Sequence, residues 1–202
     1  MSVPTRVALI ISLVLCLTTG VAAYLLFPAK LLHWHVPAAI FTYLFFILCV
    51  VMNICRALGK QISLRRALSA CDTGIIFAGI TIITGMIWGR SAWGTAWIWE
   101  PRLTGMLLMT LIFVSWRMSA TVIARHVVAE RIATASLIIL ALPSIVFTHL
   151  ATRLFGGIHP DAMPAATHSS ALPGYAFVLS ITCYLSLSVA FLLIHRCISK
   201  RD

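Results

Sequence analysis

Residues 36–54 read Val36-Pro37-Ala38-Ala39-Ile40-Phe41-Thr42-Tyr43-Leu44-Phe45-Phe46-Ile47-Leu48-Cys49-Val50-Val51-Met52-Asn53-Ile54. No charged residue interrupts the run, and it is apolar on every side of a helical wheel. A helix with no polar face belongs in lipid or in a large protein core. The run has about the 20 residues that a helix needs to cross a bilayer. It opens with a proline, which suits the first turn of a helix because its missing N–H would have no partner there. The segment His33-Trp34-His35 just before it then lies at the membrane surface, with His35 at the mouth of the helix.

Five more apolar runs flank this one, at about 7–27, 71–88, 103–123, 132–150 and 174–194. Across the 202 residues, 61% are hydrophobic and only 10% charged, with a mean hydropathy of +1.02. A soluble domain of this size cannot bury so much apolar surface. The expected fold is therefore all-α: a polytopic membrane protein of six transmembrane helices, forming one domain over residues 1–202. The first run, ending in Thr-Thr-Gly-Val-Ala-Ala, has some character of a signal peptide. It is longer than a usual signal core and further spans follow, so it reads as a retained helix. Pro143 falls inside the fifth run, and Asp72 near the start of the third suits the positive end of a helix dipole.

The net charge of +10 does not point to nucleic acid, because the basic residues sit in short connections between apolar runs. They act as topology signals. Arg6, Arg56, Lys60, Arg65, Arg66, Arg117, Arg125, Arg131, Arg196, Lys200 and Arg201 fall on one side. Only Lys30, Arg90, Arg102 and Arg153 fall on the other. The positive-inside rule then puts both termini in the cytoplasm. Three segments come to the outer face by helix counting alone: His35 with its neighbours, residues 88–104, and the connection at 151–173. The six cysteines form no Cys-x-x-Cys pair and lie within or beside apolar runs, so they read as packing thiols rather than metal ligands or disulfides.

The outer stretch 88–104 holds four of the six tryptophans: Trp88, Trp93, Trp97 and Trp99. Arg90, Glu100 and Arg102 stand among them. Tryptophan collects at membrane interfaces in any case, but the glycines, arginines and glutamate interleaved here suit a flat apolar ligand with charged edges. Haem is such a ligand. Its iron takes histidine, its ring takes rigid aromatic walls, and its propionates take arginine, whose planar fork matches a carboxylate. His35, with His159 or a neighbour in the last outer connection, would supply the axial pair. His126 and His195, among basic neighbours, read as solvated, and so does His168 in its Ser-rich surroundings. Glu100 suits a cap on the following helix. It also suits a role in shaping the loop and orienting an arginine or a ligand. There is no Ser/His/Asp order, no paired carboxylates and no phosphate-cradling glycine loop, so no enzyme is expected.

The string Trp93-Gly94-Thr95-Ala96-Trp97-Ile98-Trp99-Glu100-Pro101-Arg102-Leu103-Thr104 resembles the tryptophan-rich signature of the haem-handling protein family, and within it the cytochrome c maturation protein C family. His35-Val36-Pro37-Ala38-Ala39 resembles that family's early histidine motif, whose histidine is an axial haem ligand. Leu142-Pro143 and Ile158-His159-Pro160 correspond to its later Leu-Pro and second-ligand segment. This chain departs from the pattern in several places. Glu100 stands for an aspartate, Ala96 for a tryptophan, and Pro101 follows the acid. A Trp-Trp pair before the second ligand is absent, and the distance to that histidine is longer. The resemblance implies His35 and His159 as iron ligands, with His149 in reserve. It implies Trp88, Trp93, Trp97, Trp99, Glu100, Arg90 and Arg102 around haem b. It further implies a multi-pass protein of the bacterial inner membrane that passes haem to a periplasmic haem chaperone in cytochrome c biogenesis. The expected partners are that chaperone, the ATPase and membrane subunits of an ABC transporter, a small single-helix subunit, and lipid. Two other classes stand beside this reading. A membrane b-type cytochrome in electron transfer predicts histidine pairs deep within helices. A haem transporter subunit predicts polar or broken positions at mid-membrane.

Overall fold

A computed structural model of the chain describes residues 3–26, 30–123, 126–158 and 174–198. All regular structure among them is helical: α1 (Val3–Leu26), α2 (Lys30–Ala57), α3 (Leu64–Trp93), α4 (Pro101–Ile123), α5 (Val127–Phe155) and α6 (Gly174–Ile198). All six are long and apolar enough to cross a membrane. A helix bonds all its backbone groups within itself, as a segment in hydrocarbon must.

The helices run past the ends expected from hydropathy. α2 begins at Lys30, so Pro37 lies inside it and His35 lies in the helix rather than at its mouth. A proline there removes one intrahelical bond without stopping a helix that the bilayer favours. α3 begins at Leu64, because Arg65 and Arg66 are good helix formers despite their charge. Asp72 is therefore two turns inside α3. It pairs with Arg117 instead of meeting the helix dipole. α3 also extends to Trp93, so Trp88 and Trp93 are helical and the connection to α4 is only 94–100.

The chain divides into two compact units. In the first, comprising Met1–Phe41 and Pro164–Asp202, α1 packs on α6. The approach is close at Gly20, where a Cβ would stand 3.1 Å from the Cys183 sulfur. Cys16 and Cys183 face each other there with sulfurs 3.5 Å apart, and both are free thiols. The Tyr184 hydroxyl donates to the Trp34 carbonyl at 2.8 Å, and the Tyr184 ring meets Trp34 edge-on. This ties the first turns of α2, where His35 sits, to α6.

The second unit, Thr42–Met163, holds the rest of α2 with α3, α4 and α5. Phe46 and Phe113 stack face to face, centroids 3.8 Å apart. Gly74 admits that stack: a Cβ there would lie 2.5 Å from Phe46 Cδ1. Gly105 likewise lets α4 meet α5, since a Cβ would be 2.7 Å from Thr148 Oγ1. Buried hydroxyls donate to carbonyls one turn back, as Thr73 does to Ser69 and Thr148 to Ser144. At one end Arg117 grips Asp72, with Nη2 3.1 Å from Oδ2. Arg56 pairs with Glu130 while donating to Asn53 Oδ1 at 3.1 Å.

Gly74→Ala drives a methyl into a stacked ring, and overpacking of this kind costs about 1–3 kcal/mol. Denaturation of the detergent-solubilised protein checks it; an unshifted midpoint would show that the Phe46 ring swings aside freely. Asp72→Asn leaves Arg117 half-buried without its counter-charge, and the expected loss is about 1–3 kcal/mol, below the cost of breaking a fully buried pair. In a double-mutant cycle with Arg117→Gln, the double mutant is expected to recover part of that loss.

Candidate functional site

The tryptophan segment is built by two helix ends. α3 terminates because Gly94 adopts the left-handed conformation, φ +78°, the usual glycine ending of a helix. In its last turns Trp88 and Trp93 meet edge-on, centroids 4.9 Å apart. Gly89 is buried beneath them and close to the chain after the turn, where a Cβ would be 3.2 Å from the Thr95 carbonyl oxygen. The Thr95 hydroxyl donates to the Trp97 carbonyl at 3.2 Å. Trp97 and Trp99 form a second edge-on pair at 5.5 Å, and Trp99 is 74% exposed.

α4 then starts as the sequence suggests. Glu100 is its cap: the Leu103 N–H donates to Glu100 Oε1 at 2.9 Å, and the Thr104 N–H to the Glu100 carbonyl at 3.0 Å. Pro101 takes the first helical position, where no N–H is needed. Glu100 is nonetheless only 6% exposed. Its other oxygen, Oε2, has no hydrogen-bond partner among the described residues, and neither does the buried Trp97 indole nitrogen. Oε2 lies over Gly157, just past the end of α5, where a Cβ would come within 2.5 Å of it. The methyl of Thr152 lies 3.2 Å from that same Cβ position. Among the described residues this buried acceptor therefore has no donor.

Tyr43 on α2 meets His149 on α5 edge-on at 6.3 Å. Arg102 lies within electrostatic reach of the Tyr43 hydroxyl. Arg90 is exposed in the last turn of α3, Arg102 is half-buried in the first turn of α4, and His149 is exposed.

The second unit thus gathers Trp88, Trp93, Trp97, Trp99 and Glu100 from adjoining helix ends, with Arg90 and Arg102 in the same segment. His35 is half-buried in the first unit. His159, the expected second ligand, lies outside the described residues, as do His168 and the rest of 159–173. Among the described residues, no group of three or more His, Cys, Asp or Glu side chains is placed to hold a metal ion. Tyr184, Tyr43 and Gly157 were not anticipated as part of the arrangement. Their partners are remote in sequence, and nothing local to them signals a role.

The family profile described as Heme exporter protein C matches residues 1–201. The chain is 31% identical over 110 residues to Heme exporter protein C of Paracoccus denitrificans, covering 50% of this chain and 46% of that protein. It is 32% identical over 99 residues to the protein of that name from Rhodobacter capsulatus, with 48% and 41% covered. With that of Escherichia coli K12 it is 30% identical over 86 residues, with 42% and 35% covered. Each match therefore spans less than half the length of the relative. Six apolar helices, a tryptophan-lined helix junction and a profile match along nearly the whole sequence converge: the chain is a multi-pass membrane protein that belongs to the Heme exporter protein C family.

Proposed function

We propose that this protein binds haem at the periplasmic face of the bacterial inner membrane and hands it to a periplasmic haem chaperone in cytochrome c biogenesis. The observation that carries the reading is the buried indole N–H of Trp97, unpartnered among the described residues and set within an aromatic junction. Buried polar groups normally have partners, and an orphan asks for a specific explanation. A ligand with a broad apolar face and polar edges supplies one. The names of the relatives support haem as that ligand, and the residues present fit it. Trp88, Trp93, Trp97 and Trp99 offer rigid aromatic surface, and Arg90 and Arg102 suit the propionates.

His35 and His159 take the axial positions, and His149 is the reserve for the second. The bound group is haem b, held without covalent attachment, so that it can leave. The protein orients the cargo and shields one edge while the exposed Trp99 faces the acceptor. It performs no bond-making step of its own and is not an enzyme. Its partners are the chaperone, the ATPase and membrane subunits of an ABC transporter, and a small single-helix subunit. Helix counting and the excess of Lys and Arg on one side support a cytoplasmic position for both termini. The N-terminal turns of α2, the α3–α4 connection and the α5–α6 connection then share the periplasmic side.

Absorption spectra of protein purified after co-expression with the chaperone test the ligands. Wild type is expected to show six-coordinate, low-spin haem. His35→Ala and His159→Ala lose or perturb that spectrum, while His149→Ala keeps it. Four identical spectra would remove these histidines from the iron. Fusions at the C-terminus test the orientation: a fluorescent protein is expected to glow there and alkaline phosphatase to stay inactive. The reverse pattern would invert the topology and put the tryptophan junction in the cytoplasm.

A further inference from the structure

Cys16 on α1 and Cys183 on α6 are 167 residues apart in the chain, yet their sulfurs stand 3.5 Å from each other. Both are free thiols. Each lies well inside a membrane-length helix. The two helices are close at this level: Gly20, one turn after Cys16, would place a Cβ 3.1 Å from the Cys183 sulfur. A disulfide needs its sulfurs about 2.0 Å apart, so roughly 1.5 Å remains to be closed. Turns about the two Cα–Cβ bonds supply that, and neither helix has to travel.

Hydrocarbon limits what the pair can do. The thiolate is the form that attacks disulfides and holds metals, and an isolated charge is costly away from water. Exchange with a water-soluble disulfide and coordination of a cation both pass through that charge. A disulfide is neutral and suits this depth. Whatever forms it must be lipid-soluble and must accept hydrogen without leaving charge behind, as a quinone does. The approach is open, because Cys16 is half-buried and Leu13 and Leu17 beside it are exposed. The thiols of the second unit differ. Cys49 and Cys71 are fully buried. Cys71 donates to the Phe113 carbonyl at 3.6 Å, and the Asn53 amide donates to the Cys49 sulfur at 3.6 Å.

We propose that Cys16 and Cys183 form a redox clasp that a lipid-soluble quinone closes. Each thiol gives up its hydrogen, one S–S bond forms, and the quinone takes both hydrogens to become a quinol. No charge is left behind. Closed, the clasp fixes α1 to α6 one residue before Tyr184. The Tyr184 hydroxyl holds the Trp34 carbonyl, and with it the turn of α2 that carries His35. The clasp does not depend on the haem reading.

The test uses the full chain, reduced, in lipid nanodiscs, exposed without oxygen to a ubiquinone analogue whose ring is fully substituted. After unfolding, the remaining thiols are alkylated and counted by intact mass, and any link is mapped by digestion. Wild type is expected to lose two of its six alkylatable cysteines, with the link between Cys16 and Cys183 and one quinol formed per disulfide. The product is expected to migrate faster on a non-reducing gel. Cys16→Ser and Cys183→Ala keep all their remaining thiols. Six alkylated cysteines in wild type overturn the proposal. So does a link mapped to other cysteines, or a loss that persists in Cys16→Ser. The mapping of wild type decides by itself where a variant fails to fold. Oxidised glutathione at the same concentration is expected to leave the pair reduced. If it closes the clasp as fast, the quinone assignment falls.

Discussion

Hydrocarbon offers no hydrogen bonds, so every polar group carried into it must find a partner within the protein. Most of this chain follows from that constraint. It selects helices for all six apolar runs. It lets α2 continue through Pro37, since the helix loses one bond there and abandoning helical structure would lose many. It turns the buried hydroxyls of Thr73, Thr81, Thr148, Ser180 and Ser188 back onto carbonyls of their own helices. It also explains why the charged side chains Asp72 and Arg117 occur as a pair. With hydrophobic attraction between helices largely absent in lipid, close packing must join them. Gly74 under Phe46, Gly105 against Thr148 and Gly20 against Cys183 are the places where a missing side chain permits it.

Against that background the junction of α3, α4 and α5 stands out. There, among the described residues, two buried polar atoms lack partners within four residues, at Trp97 and Glu100. An unmade buried hydrogen bond costs about 1–3 kcal/mol, more for a charged group. The same segment carries Trp99, whose large ring is mostly exposed next to its edge-on partner Trp97. A buried indole N–H without an acceptor and apolar surface outside are complementary departures from a resting fold, and a flat ligand with an anionic edge would relieve both.

The spans were legible because apolar runs of membrane length leave few alternatives. Their ends were less so. Hydropathy falls at Arg65, Arg66 and Trp88 while the backbone stays helical, because charge and bulk change the side-chain environment and not the i to i−4 bonding. Proline at 37 looked like a beginning because it fits a first turn, yet it is tolerated further in. The cap at Glu100 could be read locally, from an acid preceding Pro101 in the first turn. The contact of Glu100 with Gly157 and the bond from Tyr184 to Trp34 join positions far apart in the chain, and no periodicity encodes them. The tryptophans marked the candidate site by type and density. Their division into one pair on α3 and one in the connection depends on the backbone turn at Gly94, which composition alone does not place.

The choice of acid at position 100 follows from the same geometry. Aspartate is among the strongest caps. For capping alone, then, glutamate brings no advantage. Its extra methylene matters only if the carboxylate must do more than cap, reaching beyond the helix end while one oxygen still holds the Leu103 N–H. That reach carries the second oxygen over the end of α5, where any side chain would collide with it. The residue there is Gly157, which has none. The longer acid and the missing side chain are therefore two halves of one arrangement. A carboxylate oxygen has been moved out of the cap and toward the chain leaving α5, and the space it needs has been kept open.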